Sequence, residues 1–448
     1  MENIRNFFEP KSVAIVGASH HKGKVGNIIA GNMLHFKGKL FFVNPNINKV
    51  LGKKCVKSVL DVKEKVDLAV ICVPKNFVAQ VIDECGKKGI KSAVIITAGF
   101  SEVGNKKQEQ EVLQAAKKYG IRIIGPNCFG VVNPYLHLNS TFALNNVAKD
   151  SISFVSQSGA LGASIIDISA SEGLGFSRMA FLGNESDIDF NEVIEYLNSD
   201  KDTKVILLYI EALKKGKEFI EVAGKCRKPI IVIKSGSSLA GSRAALTHTG
   251  SLSGSAEIYN AAFKQAGVVI VDSITNALNL ARFISLSKFD VKSKKIENVL
   301  ILSNAGGAAV LSADYCEKEG LNVIQIPPNI LEKLNRILPA AWSKNNPIDL
   351  MGDADAKRYK DALLLLEKEN FFDVLICLLT PQAMTQPYET ALALKKFAEK
   401  SRKPVLASFI GGRRVKRAAD YLNKHKILFF SEPKRCVEII AALKGDSK

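Results

Sequence analysis

His248 lies in SGSSLAGSRAALTHTGSLSGS, the stretch Ser235–Ser255, directly before a helical pattern. An imidazole with its ordinary pKa near 6.5 is largely neutral at neutral pH, and one ring nitrogen is then nucleophilic. Connections inside a compact domain usually need a few residues, and loops of this length are mostly functional or disordered. This one holds no proline and no charge run, and His248 is its one strong nucleophile. Such a histidine suits a transfer that requires reach, in which a phosphoryl group is collected at one place and delivered at another. The plainer alternative is a histidine that caps or hydrogen-bonds within its own loop.

Two further segments could hold an anion. SFVSQSGALG places Ser156, Gln157, Ser158 and Gly159 between an apolar run and a helical pattern, and LILSNAGGAAV places Ser303, Asn304, Gly306 and Gly307 in the same way. The unpaired amides of a helix start, with the positive end of its dipole, favour phosphate. Taken singly, such glycines also serve sterically in the first βα turn of many folds. Two of them beside a histidine-bearing loop read as two phosphate docks. Glu211 ends the apolar run VILLYI, where a parallel sheet presents functional groups, although a solvated glutamate closing a strand is the common case.

The remaining candidates are weaker. His20 and His21 sit in the first glycine loop, while His35, His137 and His425 have no clustered carboxylate or cysteine nearby in sequence. Asp187 and Asp189 of GNESDIDF are read as helix caps. Trp342 is expected to pack in a loop. No metal site is expected, since the eight cysteines are scattered without a CxxC pair and behave as small hydrophobes in or beside apolar segments.

The elements that must position these residues alternate βαβα. The first series of apolar runs is Val13–Gly17, Leu40–Asn44, Leu68–Val73, Ser92–Thr97 and Ile121–Gly125, followed by VNPYLHLNSTFALNN as a loop or short hairpin. The second is Ile152–Ser156, Met179–Leu182, Val205–Ile210, Ile230–Lys234 and Val268–Val271, ending in a helix around Thr275–Leu286. A polar, lysine-rich linker is expected at Ser287–Asn298. The third is Val299–Ser303, Asn322–Ile326, Val374–Leu379, Val405–Phe409 and Ile427–Phe430, with a last helix near Pro433–Leu443. Continuous rather than alternating hydrophobicity implies strands covered on both faces, hence parallel sheet. The expected fold is α/β, with three tandem doubly wound domains at 1–145, 146–290 and 291–448: a Rossmann-like domain followed by two flavodoxin-like ones.

Bulk properties agree with that scale, since 448 residues make about three domains at roughly 150 residues each. Hydrophobic residues are 47% and charged ones 24%, and no apolar run approaches the roughly 18 residues of a membrane span. The opening MENIRNFFEPKS has no signal-peptide core, so a cytoplasmic setting is expected. The net charge of +18 comes from lysines spread over helix faces, without an aromatic-interleaved cluster, so no nucleic-acid partner is expected. Residual positive charge would steer a polyanionic small molecule.

The first series departs from the dinucleotide pattern. Gly17-Ala18-Ser19, Gly23 and Gly26 do not have GxGxxG spacing. Asn44 and Pro45 stand where an acidic ribose ligand would end the second strand, which weighs against a nicotinamide-dependent oxidoreductase. The set GAS…GKVG, VNPN, VPKN, TAGFSE and GPNCFG, each at a strand end, resembles the CoA-binding domain of nucleoside-diphosphate-forming acyl-CoA synthetases, the succinyl-CoA synthetase superfamily. The resemblance extends in order over nearly the whole chain. SQSGALG, GNESDIDFNEVIEYL, LLYIEAL, GSRAALTHTGSLSGS, SNAGGAAVLSAD and NPIDL look like the alpha subunit of ADP-forming acetyl-CoA synthetase.

The resemblance implies that Gly17, Ser19 and Lys22 to Gly26 hold CoA phosphates. Asn44, Pro45, Val73, Pro74 and Thr97 would line its adenosine and pantetheine, and Asn127 of GPNCFG joins the set. It further implies that His248 becomes phosphorylated and that Glu211 holds the phosphohistidine ring, a carboxylate on the opposite N–H fixing the tautomer. Acyl-CoA, ADP and phosphate would give acid, ATP and CoA reversibly, with acetyl-CoA the expected acyl donor. The chain contains no GxxxxGK(S/T) and no segment readable as an ATP-grasp module. ADP or ATP with Mg²⁺ is therefore expected on a separate ATP-grasp-type beta subunit, in an α2β2 assembly. The alternative is a CoA-binding regulatory protein of the same fold without catalysis.

Overall fold

Apolar runs too long and too uniform to face water on one side become buried parallel strands. The computed structural model describes residues 2–238, 240–241, 256–287, 296–401 and 403–444. His248, with its surrounding segment, and most of the expected linker lie outside the described residues. Among the described residues the strands form three sheets.

The first sheet holds β1 (Ser12–Val16), β2 (Lys39–Val43), β3 (Lys49–Val50), β4 (Lys53–Val56), β5 (Leu68–Ile71), β6 (Ser92–Ile95) and β7 (Arg122–Ile124). Its order is β3-β4-β2-β1-β5-β6-β7, parallel except for the β3–β4 pair. The strand order reverses at β1, which opens a crevice at the carboxyl edge. The second sheet holds β8 (Gly130–Asn133), β9 (Leu138–Asn139), β10 (Ala148–Ser156), β11 (Gly175–Phe181), β12 (Val205–Ile210), β13 (Ile230–Lys234) and β14 (Val269–Val271). Its order, β14-β13-β12-β10-β11-β8-β9, reverses at β10, the strand that ends in Ser156. The third sheet holds β15 (Asn298–Ser303), β16 (Asn322–Val323), β17 (Ile348–Asp349), β18 (Val374–Leu379), β19 (Val405–Phe409) and β20 (Leu428–Phe430). It is ordered β16-β15-β18-β19-β20, with β17 beside β15.

The contacts divide the chain into two compact units, Met1–Asp272 with the first two sheets and Ser273–Lys448 with the third. Two segments are placed differently from expectation. The hairpin of β8 and β9, expected before a boundary at 145, joins the second sheet through antiparallel pairing of β8 with β11. The helix Ile274–Leu286, expected to close the second series, packs against the helix Pro433–Ala441 of the second unit. Hydrophobic periodicity marks a segment as amphipathic but does not say which sheet it covers.

Within Met1–Asp272 one core spans both sheets, and a second covers the other face of the first sheet. The helix Glu2–Phe8 inserts Phe7 and Phe8, and Phe8 stacks on Tyr196 with ring centroids 4.7 Å apart. The Arg122 guanidinium, on the edge strand β7, pairs with Asp187 at 2.9 Å and Glu192 at 2.8 Å. Arg178, buried on β11, pairs with Asp200 at 3.0 Å and Asp202 at 2.9 Å. Trp342 is buried in the second unit, its indole N–H donating to Asn335 at 2.8 Å.

Candidate functional site

At the end of β1, backbone crowding dictates glycine. A Cβ on Gly17 (φ +96°) would lie 2.8 Å from the Cys72 carbonyl, and one on Gly26 would lie 2.1 Å from the Gly17 carbonyl oxygen. Only glycine lets the helix Val25–Asn32 begin this close to the strand end. Asn44 donates from Nδ2 to the Ala18 carbonyl at 2.8 Å and accepts the Asn46 N–H at 2.9 Å, so it ties the β2 turn to the β1 turn. Ser19 accepts the His21 N–H at 3.1 Å, while Lys22 and Pro45 are exposed alongside.

Further along the edge, Thr97 donates to the Val73 carbonyl at 2.7 Å, and the Asn127 N–H donates to the Thr97 carbonyl at 2.9 Å. Val73, Pro74, Thr97 and Asn127 line a cavity of about 1000 Å³ whose wall also contains Gln157, Ser158, Gly159 and Glu211. Residues singled out for CoA and residues singled out for phosphate thus face one space. Gly17, Ser19, Lys22, Gly26, Asn44 and Pro45 lie outside that lining, although Val25 of the same turn reaches it.

The turn expected to hold phosphate follows β10. Ser156 Oγ donates to the Ser158 carbonyl and accepts the Ser158 N–H, both at 3.0 Å. Ser158 caps the helix Gly159–Glu172 by accepting the Leu161 N–H at 3.3 Å. The amides of Gly159 and Ala160 have no acceptor within the helix itself and stand at its positive end, an arrangement that takes an anion. Gln157 is used otherwise. Its Oε1 accepts the N–H groups of Glu211 at 2.7 Å and Ala212 at 3.0 Å, and its Nε2 donates to Ala212 O at 2.8 Å and Glu185 Oε2 at 2.6 Å. The amide shapes the turn after β12, and that turn brings Glu211 to the cavity wall. Lys234 supports it by donating to the Glu211 carbonyl at 2.9 Å.

Sequence reasoning passed over Glu185. Of its neighbours in GNESDIDF, Asp189 caps the helix Phe190–Ser199 by accepting N–H groups at 2.9 and 3.2 Å, and Asp187 answers Arg122. Glu185 is only 4% exposed and adopts φ +51°. Burial pushes its carboxyl up to about 7, against the opposing pull of the Gln157 hydrogen bond and the Lys214 charge. A left-handed glutamate turned inward leaves no periodic signal, so composition and spacing could not reveal it.

The second unit repeats the turn. Ser303 Oγ donates to the Ala305 carbonyl and accepts its N–H, both at 3.0 Å, ahead of the helix Gly306–Lys318. Asn304 is turned inward as Gln157 is. It accepts the Thr380 N–H at 2.9 Å and donates to the Thr380 carbonyl at 2.9 Å and to Gln382 at 2.8 Å. Gly306 passes close to a carboxylate, since a Cβ there would lie 3.2 Å from Asp349 Oδ2. Gly307 has open space around it.

Among the described residues no three His, Cys, Asp or Glu converge as a metal site. Burial pushes the thiols of Cys72, Cys85, Cys128, Cys316 and Cys377 up to about 12, which keeps them neutral. No helix among the described residues is long and apolar enough to cross a membrane.

Comparison with known proteins divides the chain into three stretches. A CoA binding domain matches residues 11–134, a succinyl-CoA ligase like flavodoxin domain matches 149–284, and a ligase-CoA domain matches 299–445. The chain is 41% identical to the alpha subunit of ADP-forming acetate–CoA ligase II of Pyrococcus furiosus, over 99% of this chain and 97% of that subunit. It is 38% identical to ADP-forming acetate–CoA ligase I of Archaeoglobus fulgidus over 99% of its own length, yet spans only 64% of that protein. A solved structure of dinucleotide-forming acetyl-coenzyme A synthetase 1 from Candidatus Korarchaeum cryptofilum, in complex with phosphate and ADP, superimposes with a TM-score of 0.94. Its identity is 37%, covering 99% of this chain and 96% of that one.

Proposed function

The chain belongs to the family of ADP-forming acetate–CoA ligases, and from that premise we propose that it is the alpha subunit of an ADP-forming acyl-CoA ligase, with acetyl-CoA the expected substrate. The observation that carries the reading is the shared cavity, in which Val73, Pro74, Thr97 and Asn127 face the Gly159 helix start and Glu211. Acyl-CoA would lie along the first sheet's edge with its thioester in this space, and phosphate would rest on the Gly159 and Ala160 amides. Attack of a phosphate oxygen on the thioester carbonyl forms acyl phosphate and expels the CoA thiolate, which takes up a proton. A ring nitrogen of His248 then takes the phosphoryl group and releases the carboxylate. Glu211 accepts the opposite ring N–H and offsets the charge developing in the ring. Transfer from phosphohistidine to ADP yields ATP and restores the imidazole.

ADP or ATP and its Mg²⁺ are assigned to a partner of ATP-grasp type, in an α2β2 assembly. The Archaeoglobus relative, of which this chain spans 64%, has the length to carry such a module in the same polypeptide. The Ser303–Gly307 turn is assigned as the second phosphate dock, used when the histidine faces the nucleotide. Incubation of the chain and its partner with γ-labelled ATP tests the scheme. Label on His248, lost on adding acid and CoA, is expected. Label on another residue would refute the scheme, and no ATP formed from acyl-CoA, phosphate and ADP would favour a non-catalytic CoA-binding protein.

A further inference from the structure

We propose that Glu185 is a positioning residue for this site: through the Gln157 amide it sets the turn that presents Glu211 to the cavity. The inference rests on the ligase reading above and adds a residue to it.

Two of the polar contacts of Glu185 and its loop reach that turn. Its Oε2 accepts from Gln157 Nε2 at 2.6 Å, and the other end of the same amide accepts the Glu211 and Ala212 N–H groups. From the far side of the turn, Lys214 Nζ donates to the carbonyls of Asn184 and Glu185, both at 2.7 Å. Oε1 accepts the Phe190 N–H at 3.3 Å, at the start of the next helix. Asp189 is the other nearby carboxylate, and Lys215 answers it at 3.0 Å. The loop from Gly183 to Asp189 therefore grips the Glu211 turn at two points, Gln157 before it and Lys214 after it.

This arrangement fits the ionised carboxylate. Both oxygens face donors, which the ionised carboxylate answers as acceptor only; protonation makes one oxygen a donor and weakens what it accepts. Burial works in the opposite sense and disfavours the charge. The two effects leave Glu185 titrating at about 7. The turn is gripped above that pH and loosened below it.

Two measurements on the full chain separate this inference from the ligase reading. Infrared difference spectra between about pH 6 and about pH 8 should show a protonated-carboxyl band lost in the wild type and missing in Glu185→Gln; this readout needs no activity. In ATP formation with the partner subunit, the acid-side slope of log kcat against pH should be shallower by about one in Glu185→Gln, which keeps an acceptor for Gln157, than in the wild type. Glu185→Ala should lower kcat about tenfold or more and leave KM for CoA within about threefold. Thermal unfolding of each variant checks that it is folded. A wild type that titrates but makes no ATP would refute the ligase reading alone. An active wild type whose slope, kcat and KM are unchanged in both variants would overturn the role of Glu185.

Discussion

Replacing Glu185 by glutamine should make the first unit's stability less dependent on pH, by an amount the structure sets. In the folded chain the carboxyl titrates at about 7, against an ordinary value of 4.5, because burial penalises its charge. Between those values the folded state holds a proton that the unfolded state has released, so stability falls as pH rises through this window and is level above it. At about 1.4 kcal/mol per pK unit, the wild type loses about 3 kcal/mol through this one group. Glu185→Gln has no such loss. Relative to wild type it should therefore gain about 3 kcal/mol on going from about pH 4.5 to about pH 8.

Urea unfolding at the two pH values reads the effect, provided the two units are followed separately. The lone tryptophan, Trp342, lies in the Ser273–Lys448 unit, so its fluorescence is an internal control that should not respond to the substitution. Hydrogen exchange of β10 and β12 amides follows the unit that contains Glu185. An equal difference between variant and wild type at both pH values would refute the reasoning, as would a shift carried by the Trp342 signal.

His248→Asn should take up no label from ATP and form no ATP, with CoA affinity by calorimetry within about twofold of wild type. Gly26→Ala, whose new methyl would lie 2.1 Å from a backbone oxygen, should weaken CoA binding by about a hundredfold or more, because strand and helix have to separate at the turn after β1. Arg178→Leu leaves the buried Asp200 carboxylate without its cation and should cost about 3–5 kcal/mol in denaturant unfolding followed by hydrogen exchange of β11.

Strand positions were largely legible because continuous apolar runs are local. Val205–Ile210, Ile230–Lys234, Val374–Leu379 and Val405–Phe409 appear with the expected bounds. The expected strand Asn322–Ile326 shrinks to Asn322–Val323, and the pair β3 and β4 is too short and too polar to signal itself. The site was legible as a set of strand ends, since a doubly wound sheet collects its turns on one edge. The work each side chain does there was not. Gln157 reads as a phosphate ligand in SQSG, yet the register that pairs Ser156 with Tyr209 sets its amide against the Glu211 turn. Asn304 meets Thr380 in the second unit in the same way. Those partners lie more than fifty residues away, and no spacing rule encodes them.

The Arg122 fork constrains how material can move through the first unit. A guanidinium shared by Asp187 and Glu192 staples the last strand of the CoA-type sheet to the loop that grips the Glu211 turn. Bidentate pairs of this kind add geometric specificity as well as energy, so the fork ties the β7 edge to the loop that carries Glu185. On the proposed ligase reading, a motion that carries the phosphoryl group to a nucleotide would have to arise in elements this fork does not tie.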